Sequence, residues 1–302
     1  MPTTVSPAGG VRIAYDTVGS GPVVVLLHGS VLSRAIWRSY GYVDALNGSR
    51  TVVRIDLRGH GRSGAPHDPA AYTQDSLLDD VLAVLDAEGI ARAAIVGYSL
   101  GARVALTAAL TAPDRVERIV CLGGSAAEQR GALDAVFFPG VIDSLRTGGM
   151  EEFCTRQGLG PEAEGRRNRG TRTAFLAADP DAMAALFSAT DSTPAVPESE
   201  LGQCRVPALW MTGDLDQPRW EESRHAAAIM PEGRFVSLPG RTHGATLGPA
   251  EPVLAEVMPF LGAEERDRQQ SSGGAERSGR EPSPRGKQGP GCETWPNRAG
   301  AD

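Results

Sequence analysis

Ser99 stands in Gly97-Tyr98-Ser99-Leu100-Gly101, a G-x-S-x-G run that follows the apolar stretch Ala93 to Val96 and opens a helical stretch to Thr111. Strand, sharp turn and helix are the context in which this short motif carries chemistry. Flanking glycines let the backbone turn close to its neighbours, which leaves the serine exposed at a helix N-terminus. Free N–H groups and the helix dipole there favour a developing negative charge, as acyl transfer requires. The competing reading is a plain serine in a glycine-rich turn. A second motif, Gly59-His60-Gly61-Arg62-Ser63-Gly64, spells G-x-G-x-x-G after a strand, with Asp79 and Asp80 downstream. A dinucleotide fingerprint must open a helix within the motif. Here Pro66, His67, Asp68 and Pro69 follow instead, so no nicotinamide or flavin is expected and the stretch reads as a structural turn.

Other chemistries are excluded by what is missing. Of the 30 Lys and Arg residues only Lys287 is lysine, and it lies in a tail with no means of forming a pocket. A P-loop and a pyridoxal site each need a lysine, so neither is expected. The four cysteines are far apart with no CxxC pair, which suggests neither zinc nor a disulfide framework. Asp214 and Asp216 resemble the start of a calcium loop, but no spaced ligands follow, and no metal is expected. A net charge of −7 argues against a nucleic-acid surface. No apolar run approaches the ~18 residues of a membrane span. Met1 to Gly10 lacks a signal-peptide layout, so a cytoplasmic protein is expected.

Elements that could position Ser99 alternate along the chain. Val11 to Val18 reads as an edge strand, and Val23 to Leu27 as a strand covered on both faces. A helix is expected from Ser33 to Leu46, a strand at Thr51 to Leu57 and a helix at Asp75 to Ala87. Strands at Ala93 to Val96 and Arg118 to Leu122 follow. Further on come strand Ala208 to Thr212, a helix near Trp220 to Met230, strand Phe235 to Leu238 and a helix near Pro252 to Leu261. The alternation predicts an α/β fold, a mostly parallel central sheet with helices on both faces. Ala126 to Glu200 breaks the rhythm with helical spacing alone and reads as an inserted cap or lid. The expected division is 1–125 core, 126–200 helical cap, 201–262 core and 263–302 tail. That tail holds no Val, Ile, Leu, Phe, Met or Tyr, so it is expected to be disordered.

Five landmarks come in order: Val23 to Gly29 ending in His28-Gly29, Arg58 to Ser63, the Gly97 to Gly101 elbow, Gly213-Asp214-Leu215-Asp216, and Arg241-Thr242-His243-Gly244. Together, over about Val11 to Leu261, they resemble the α/β-hydrolase superfamily. The resemblance implies a helical cap between the sixth and seventh strands, with Ser99 as nucleophile, His243 as base and Asp216 as the acid that orients it. It implies an oxyanion hole from the backbone N–H groups of Ser30 and Leu100. His28 then reads as a structural histidine bracing that loop. The physical need is general: an imidazole takes the serine proton, and a buried carboxylate holds the imidazole in the useful tautomer. His243 lies in a Gly- and Pro-rich loop rather than on an apolar helix face, which suits that role. Asp214 and Glu128 are the other acids considered, Asp214 being better placed to bond local backbone.

The expected function is therefore a serine hydrolase, an enzyme cleaving a carboxylic ester or lactone through an acyl-enzyme, with no cofactor and a small, apolar substrate. Ser99 stands where related dehalogenases and epoxide hydrolases carry an aspartate, which disfavours those reactions. The elbow is also similar to that of the menaquinone-pathway lyase of this fold, so a lyase, a C–C bond hydrolase or a perhydrolase using the same three residues remains an alternative. A non-catalytic ligand-binding protein is another. Trp37, Phe137 and Phe138, with Phe153, Phe175 and Phe187, are candidates for an apolar pocket or for core packing. Arg166, Arg167, Arg169 and Arg172 form a basic cluster in the lid, read as a solvated face or an anion-steering patch.

Overall fold

Eight strands share one sheet: β1 (Thr3–Val5), β2 (Arg12–Gly19), β3 (Val23–Leu27), β4 (Thr51–Ile55), β5 (Ala93–Tyr98), β6 (Val116–Leu122), β7 (Ala208–Gly213) and β8 (Gly233–Leu238). They are seen in a computed structural model that describes residues 2–262, without the side chains of residues 166 and 167. The strand order is β1-β2-β4-β3-β5-β6-β7-β8. β1 and β2, and β2 and β4, pair antiparallel, and every other pair is parallel. The expected strand at Val11 to Val18 is thus present but is not the edge, because Thr3–Val5 pairs outside it. Three residues with one half-buried side chain carry too little alternation to be read as a strand from sequence. The tail expected to be disordered, 263–302, lies outside the described residues.

Helices α1 (Ala35–Ser39) and α2 (Tyr42–Leu46) replace the single helix expected at Ser33 to Leu46. Gly41 between them has φ 82°, a left-handed conformation that no α-helix continues through. Next come α3 (Gln74–Ala87) and α4 (Leu100–Thr111), then α5 (Ala132–Val136), α6 (Val141–Arg156), α7 (Arg166–Leu176), α8 (Pro180–Asp191) and α9 (Glu198–Gln203). The last are α10 (Arg219–Ile229) and α11 (Glu251–Leu261). Alternate residues of each central strand face opposite cores, as the two-residue period of a strand requires. Val25, Leu27, Val53, Ile55, Ile95 and Ile119 pack with α3, α4 and α10. Val24, Leu26, Val52, Val96, Val120 and Leu209 pack on the other face with α1, α2 and α11. Each such side chain, fully buried, contributes roughly 1.5–3 kcal/mol.

Between β6 and β7 the chain makes only helices, α5 to α9, among the described residues. α6, kinked at Gly149, packs on α7 and α8, and α8 lies against the Pro69–Tyr72 turn. Phe137, Phe153, Phe175 and Phe187 form an aromatic cluster inside this helical layer. The buried Arg103 of α4 ties the layer to the sheet. It donates to the carbonyls of Ser125 and Ala127, where the insertion starts, and of Pro194, near where it ends. The Gly59 to Gly64 stretch closes as a turn, Gly59 N–H to Gly64 O at 2.9 Å, and opens no helix. Asp80, one of the two acids downstream of that stretch, is buried against Arg58 at 2.6 Å.

Backbones approach very closely at the start of α4. A Cβ on Gly101 would lie 2.3 Å from the Leu27 carbonyl oxygen, and one on Gly97 would lie 2.1 Å from the Gly101 oxygen. Both contacts are backbone and have no flexible side chain to give way. Gly101→Ala is therefore expected to lower stability by about 3 kcal/mol or more, measured by urea unfolding. A loss below 1 kcal/mol would show that α4 is free to shift away from β3.

Candidate active site

The parallel strands all end on one edge of the sheet, so the loops after β3, β5, β7 and β8 converge there. Ser99 follows β5 directly with φ 52° and ψ −109°, a positive φ that costs a non-glycine residue on the order of 1–3 kcal/mol. The turn is held by Ser99 N–H donating to Leu122 O at 2.9 Å and by Ala102 N–H donating to Ser99 O at 3.0 Å. Its Oγ lies 2.9 Å from His243 Nε2, and His243 Nδ1 lies 2.7 Å from Asp216 Oδ2. Asp216 sits in the loop after β7, only 5% exposed, with its N–H bonded to Gly213 O. The structure thus brings Ser99, His243 and Asp216 into one hydrogen-bonded chain.

The other two acids go elsewhere. Asp214 Oδ1 accepts the Gly240 N–H at 2.7 Å, which ties the β7 and β8 loops together by the local bonding expected of it. Glu128 is exposed and meets Arg130 at 3.4 Å. Burial holds the His243 imidazole below its ordinary value, and the Arg219 guanidinium pushes the same way. The Asp216 hydrogen bond and charge oppose both. Tyr98 stacks on the His243 ring at 5.4 Å and donates its hydroxyl to the His243 carbonyl at 3.0 Å.

Ser30 and Leu100 meet Ser99 at the wall of a small cavity of about 30 Å³. Among the described residues neither backbone N–H has a protein acceptor, so both are available to an oxygen placed there. Behind Ser30 the backbone is strained again: Val31, a β-branched residue, has φ 64°. Its N–H donates to His60 Nε2 at 3.1 Å, while Leu57 N–H donates to His28 Nε2 at 3.1 Å. Each ring therefore accepts at Nε2 and carries its proton on Nδ1, which faces the carbonyls of Arg58 and Gly29. The two rings meet edge to face at 4.9 Å. Burial pushes His28 down to about 4 and His60 to about 3, so both remain neutral.

A larger cavity of about 460 Å³ opens on Ser99 and His243 beneath α5, α6 and α7. Phe137 and Phe175 line it with Leu32, Ile36 and Leu247. Trp37 and Phe138 do not. Trp37 is fully buried against Tyr42 on the opposite face of the sheet, because α1 turns that side toward the core. Phe138 packs on Phe153 beneath the Arg156 guanidinium, inside the helical layer. Phe153 and Phe187 are likewise fully buried. Among the lining groups that the sequence did not single out are Tyr98, Gln157 and Arg219. Tyr98 was inside the motif. Arg219 had a signal, a cation in the first turn of a helix, where the dipole disfavours it. Gln157 had none. In the lid cluster, Arg172 is committed to Leu159 O and Glu151. His67, Asp179 and Asp181 bring three potential ligand atoms within 4.8 Å, but on the surface, where Asp179 caps α8 and pairs with His67.

A family model described as alpha/beta hydrolase fold matches residues 22–146. The chain is 30% identical over 271 residues to the pimeloyl-[acyl-carrier protein] methyl ester esterase of Edwardsiella ictaluri, covering 82% of this chain and 96% of that one. The chain belongs to the α/β-hydrolase superfamily. Among solved α/β-hydrolases it is similar to the enol-lactonase from Burkholderia xenovorans LB400, at 26% identity and TM-score 0.71, with 86% of this chain and 99% of that one covered. Over 101 residues, 33% of this chain and 28% of the other, it is 45% identical to epoxide hydrolase B of Mycobacterium tuberculosis. Relatives of this hydrolase thus carry out different reactions. No helix of the described residues is long and apolar enough to cross a membrane.

The two neutral histidines make the stability of this hydrolase depend on pH. Below about 6.5 the unfolded chain binds protons at both residues that the folded chain refuses, so stability falls as pH drops toward 4 and 3. By pH 5 the loss is on the order of 2 kcal/mol per histidine. Urea unfolding at pH 7.5 and pH 5.0 measures it. Equal stability at the two values would mean that these rings are already charged in the fold.

Proposed function

We propose that the chain is a serine hydrolase that cleaves a carboxylic ester or lactone through an acyl-enzyme. The observation that carries this reading is the chain of bonds from Ser99 Oγ through His243 to Asp216 Oδ2, set at the wall of a closed-over cavity beside two unused backbone N–H groups. Ser99 Oγ attacks the substrate carbonyl while His243 Nε2 takes its proton. Asp216 holds Nδ1–H and stabilises the imidazolium that forms. The carbonyl oxygen, now negative, is received by the N–H groups of Ser30 and Leu100, a contribution on the order of 3 kcal/mol per donor. As the tetrahedral species collapses, His243 returns the proton to the alcohol oxygen, which leaves. Water then attacks the acyl-Ser99 ester with His243 again as base, and the acid departs. The Ser99–acyl bond made in the first half is broken in the second, and the oxygen of water replaces that of the alcohol on the acyl carbon, so no co-reactant but water is consumed.

An epoxide substrate fits Ser99 less well despite the similarity to an epoxide hydrolase. Opening an epoxide with a serine hydroxyl forms an ether, which has no carbonyl for water to attack, so the enzyme would be trapped. An acyl-serine is released by the chemistry that made it. The mixed lining of the cavity, apolar side chains around Ser99 and His243, suits a hydrocarbon acyl or alcohol group.

Ser99→Ala is expected to lower kcat on p-nitrophenyl esters by about 10⁶, and Asp216→Asn by about 10⁴ through loss of the useful tautomer. Asp214→Asn should act on stability, and Glu128→Gln on neither. A crippling Glu128→Gln with a mild Asp216→Asn would overturn the assignment of the acid. Retention of a tenth of the activity by Ser99→Ala would overturn the nucleophile. The pH profile gives a separate check. Because the working base must be neutral and its value is held down, kcat/KM is expected to stay high through pH 6.5 and to fall only below it. An acid limb centred above 6.5 would contradict the electrostatics around His243.

A further inference from the structure

Arg219 has no role in the acyl transfer just described, yet its position is unfavourable in three respects. It is the first residue of α10, where the positive end of the helix dipole repels a cation. It is only 6% exposed. Among the described residues no hydrogen bond to its side chain is made, and no carboxylate oxygen lies within 4.0 Å of it. A buried guanidinium without a partner is strongly disfavoured, and buried charges are otherwise found paired. Arg219 lines both cavities that open on Ser99. A second polar group on the larger cavity also lacks a partner: Gln157 Nε2 is buried with no acceptor.

We propose that the substrate is an ester or lactone that also carries a free, ionised carboxylate, and that Arg219 binds this carboxylate with Gln157 as a neutral second donor. The proposal rests on the acyl-transfer reading and narrows its substrate class. A carboxylate matches the planar fork of a guanidinium with two parallel hydrogen bonds. One cation answers to one negative charge. Among the described side chains Arg219 is the sole arginine lining the larger cavity, and Arg103, which borders the smaller one, is spent on three carbonyls. Among the described side chains a dianionic phosphate would find no second cation there. Leu32, Ile36, Phe137 and Phe175 then take the hydrocarbon that separates the carboxylate from the scissile carbonyl. The ligand is thus an acid with an apolar spacer rather than a wholly apolar ester.

Two pairs of esters test this with the full chain at pH 7.5. Mono-p-nitrophenyl adipate against methyl p-nitrophenyl adipate places the charge on the acyl side. 4-Acetoxybenzoate against its methyl ester places it on the alcohol side. In one pair the charged ester is expected to have at least tenfold higher kcat/KM, chiefly through KM. Arg219→Gln should reduce that ratio at least tenfold, and Arg219→Lys should retain part of it. A preference for the neutral ester in both pairs, or an unchanged ratio in Arg219→Gln, would overturn the proposal. If no ester is turned over, the acyl-transfer reading fails separately, and calorimetric binding to Ser99→Ala protein reads the anion site alone. There monomethyl adipate should bind at least tenfold more tightly than dimethyl adipate, and adding Arg219→Gln should abolish the difference. Equal binding of the two would remove the anion site.

Discussion

The close approach of α4 to β3 is the constraint on which the site depends. Gly101 lies against the Leu27 carbonyl, and Gly97 lies against Gly101, so the chain must reverse within one residue. Ser99 takes that reversal at φ 52° and is left projecting from the edge of the sheet. The strain, on the order of 1–3 kcal/mol, is small against the burial of α4, whose Ala102, Val104, Ala105 and Leu106 are almost fully enclosed. A helix packed this firmly has no freedom to relax the turn. The position of the Ser99 hydroxyl is therefore a consequence of core packing several residues away.

The polar groups around that edge are kept in order by a second set of buried contacts. Val31, strained beside Ser30, is held by a neutral His60, and His28 holds Leu57 in the same way. Arg58 and Asp80 close the neighbouring turn, and Arg34 with Asp56 holds the loop that leads into α1. Arg103 spans the two ends of the helical insertion. These groups are charged or titratable, yet each described one has a fixed partner, which leaves the unpartnered Arg219 as the exception. Charge without a partner in so ordered a surrounding is what points outward to a ligand.

The fold does not decide the reaction. Proteins similar to this chain are named for ester, lactone and epoxide chemistry. In this chain the chemistry rests on the atom at the elbow and the charges in the cavity above it. A serine hydroxyl with an imidazole 2.9 Å away supports acyl transfer, and a cavity with one cation among its described side chains supports a substrate of one negative charge.

Sequence by itself determined the elements whose signals are local. The apolar runs of the parallel strands, the helical spacing of the insertion and the G-x-S-x-G turn are each readable within a few residues. The separation of Asp214 from Asp216 was also legible, because it follows from how far each stands past Gly213. Tertiary structure decided everything that needs two distant segments. β1 exists as a strand only because Thr3–Val5 finds the edge of β2. Trp37 and Phe138 share the apolar character of Phe137 and Phe175, and only packing determines which pair faces core and which faces cavity. His28 and His60 are kept neutral by burial, and each ring accepts a backbone N–H from a residue 29 positions away along the chain. Arg219 shows in sequence only as a cation at a helix start; its burial without a hydrogen-bond partner among the described residues is decided by the tertiary structure.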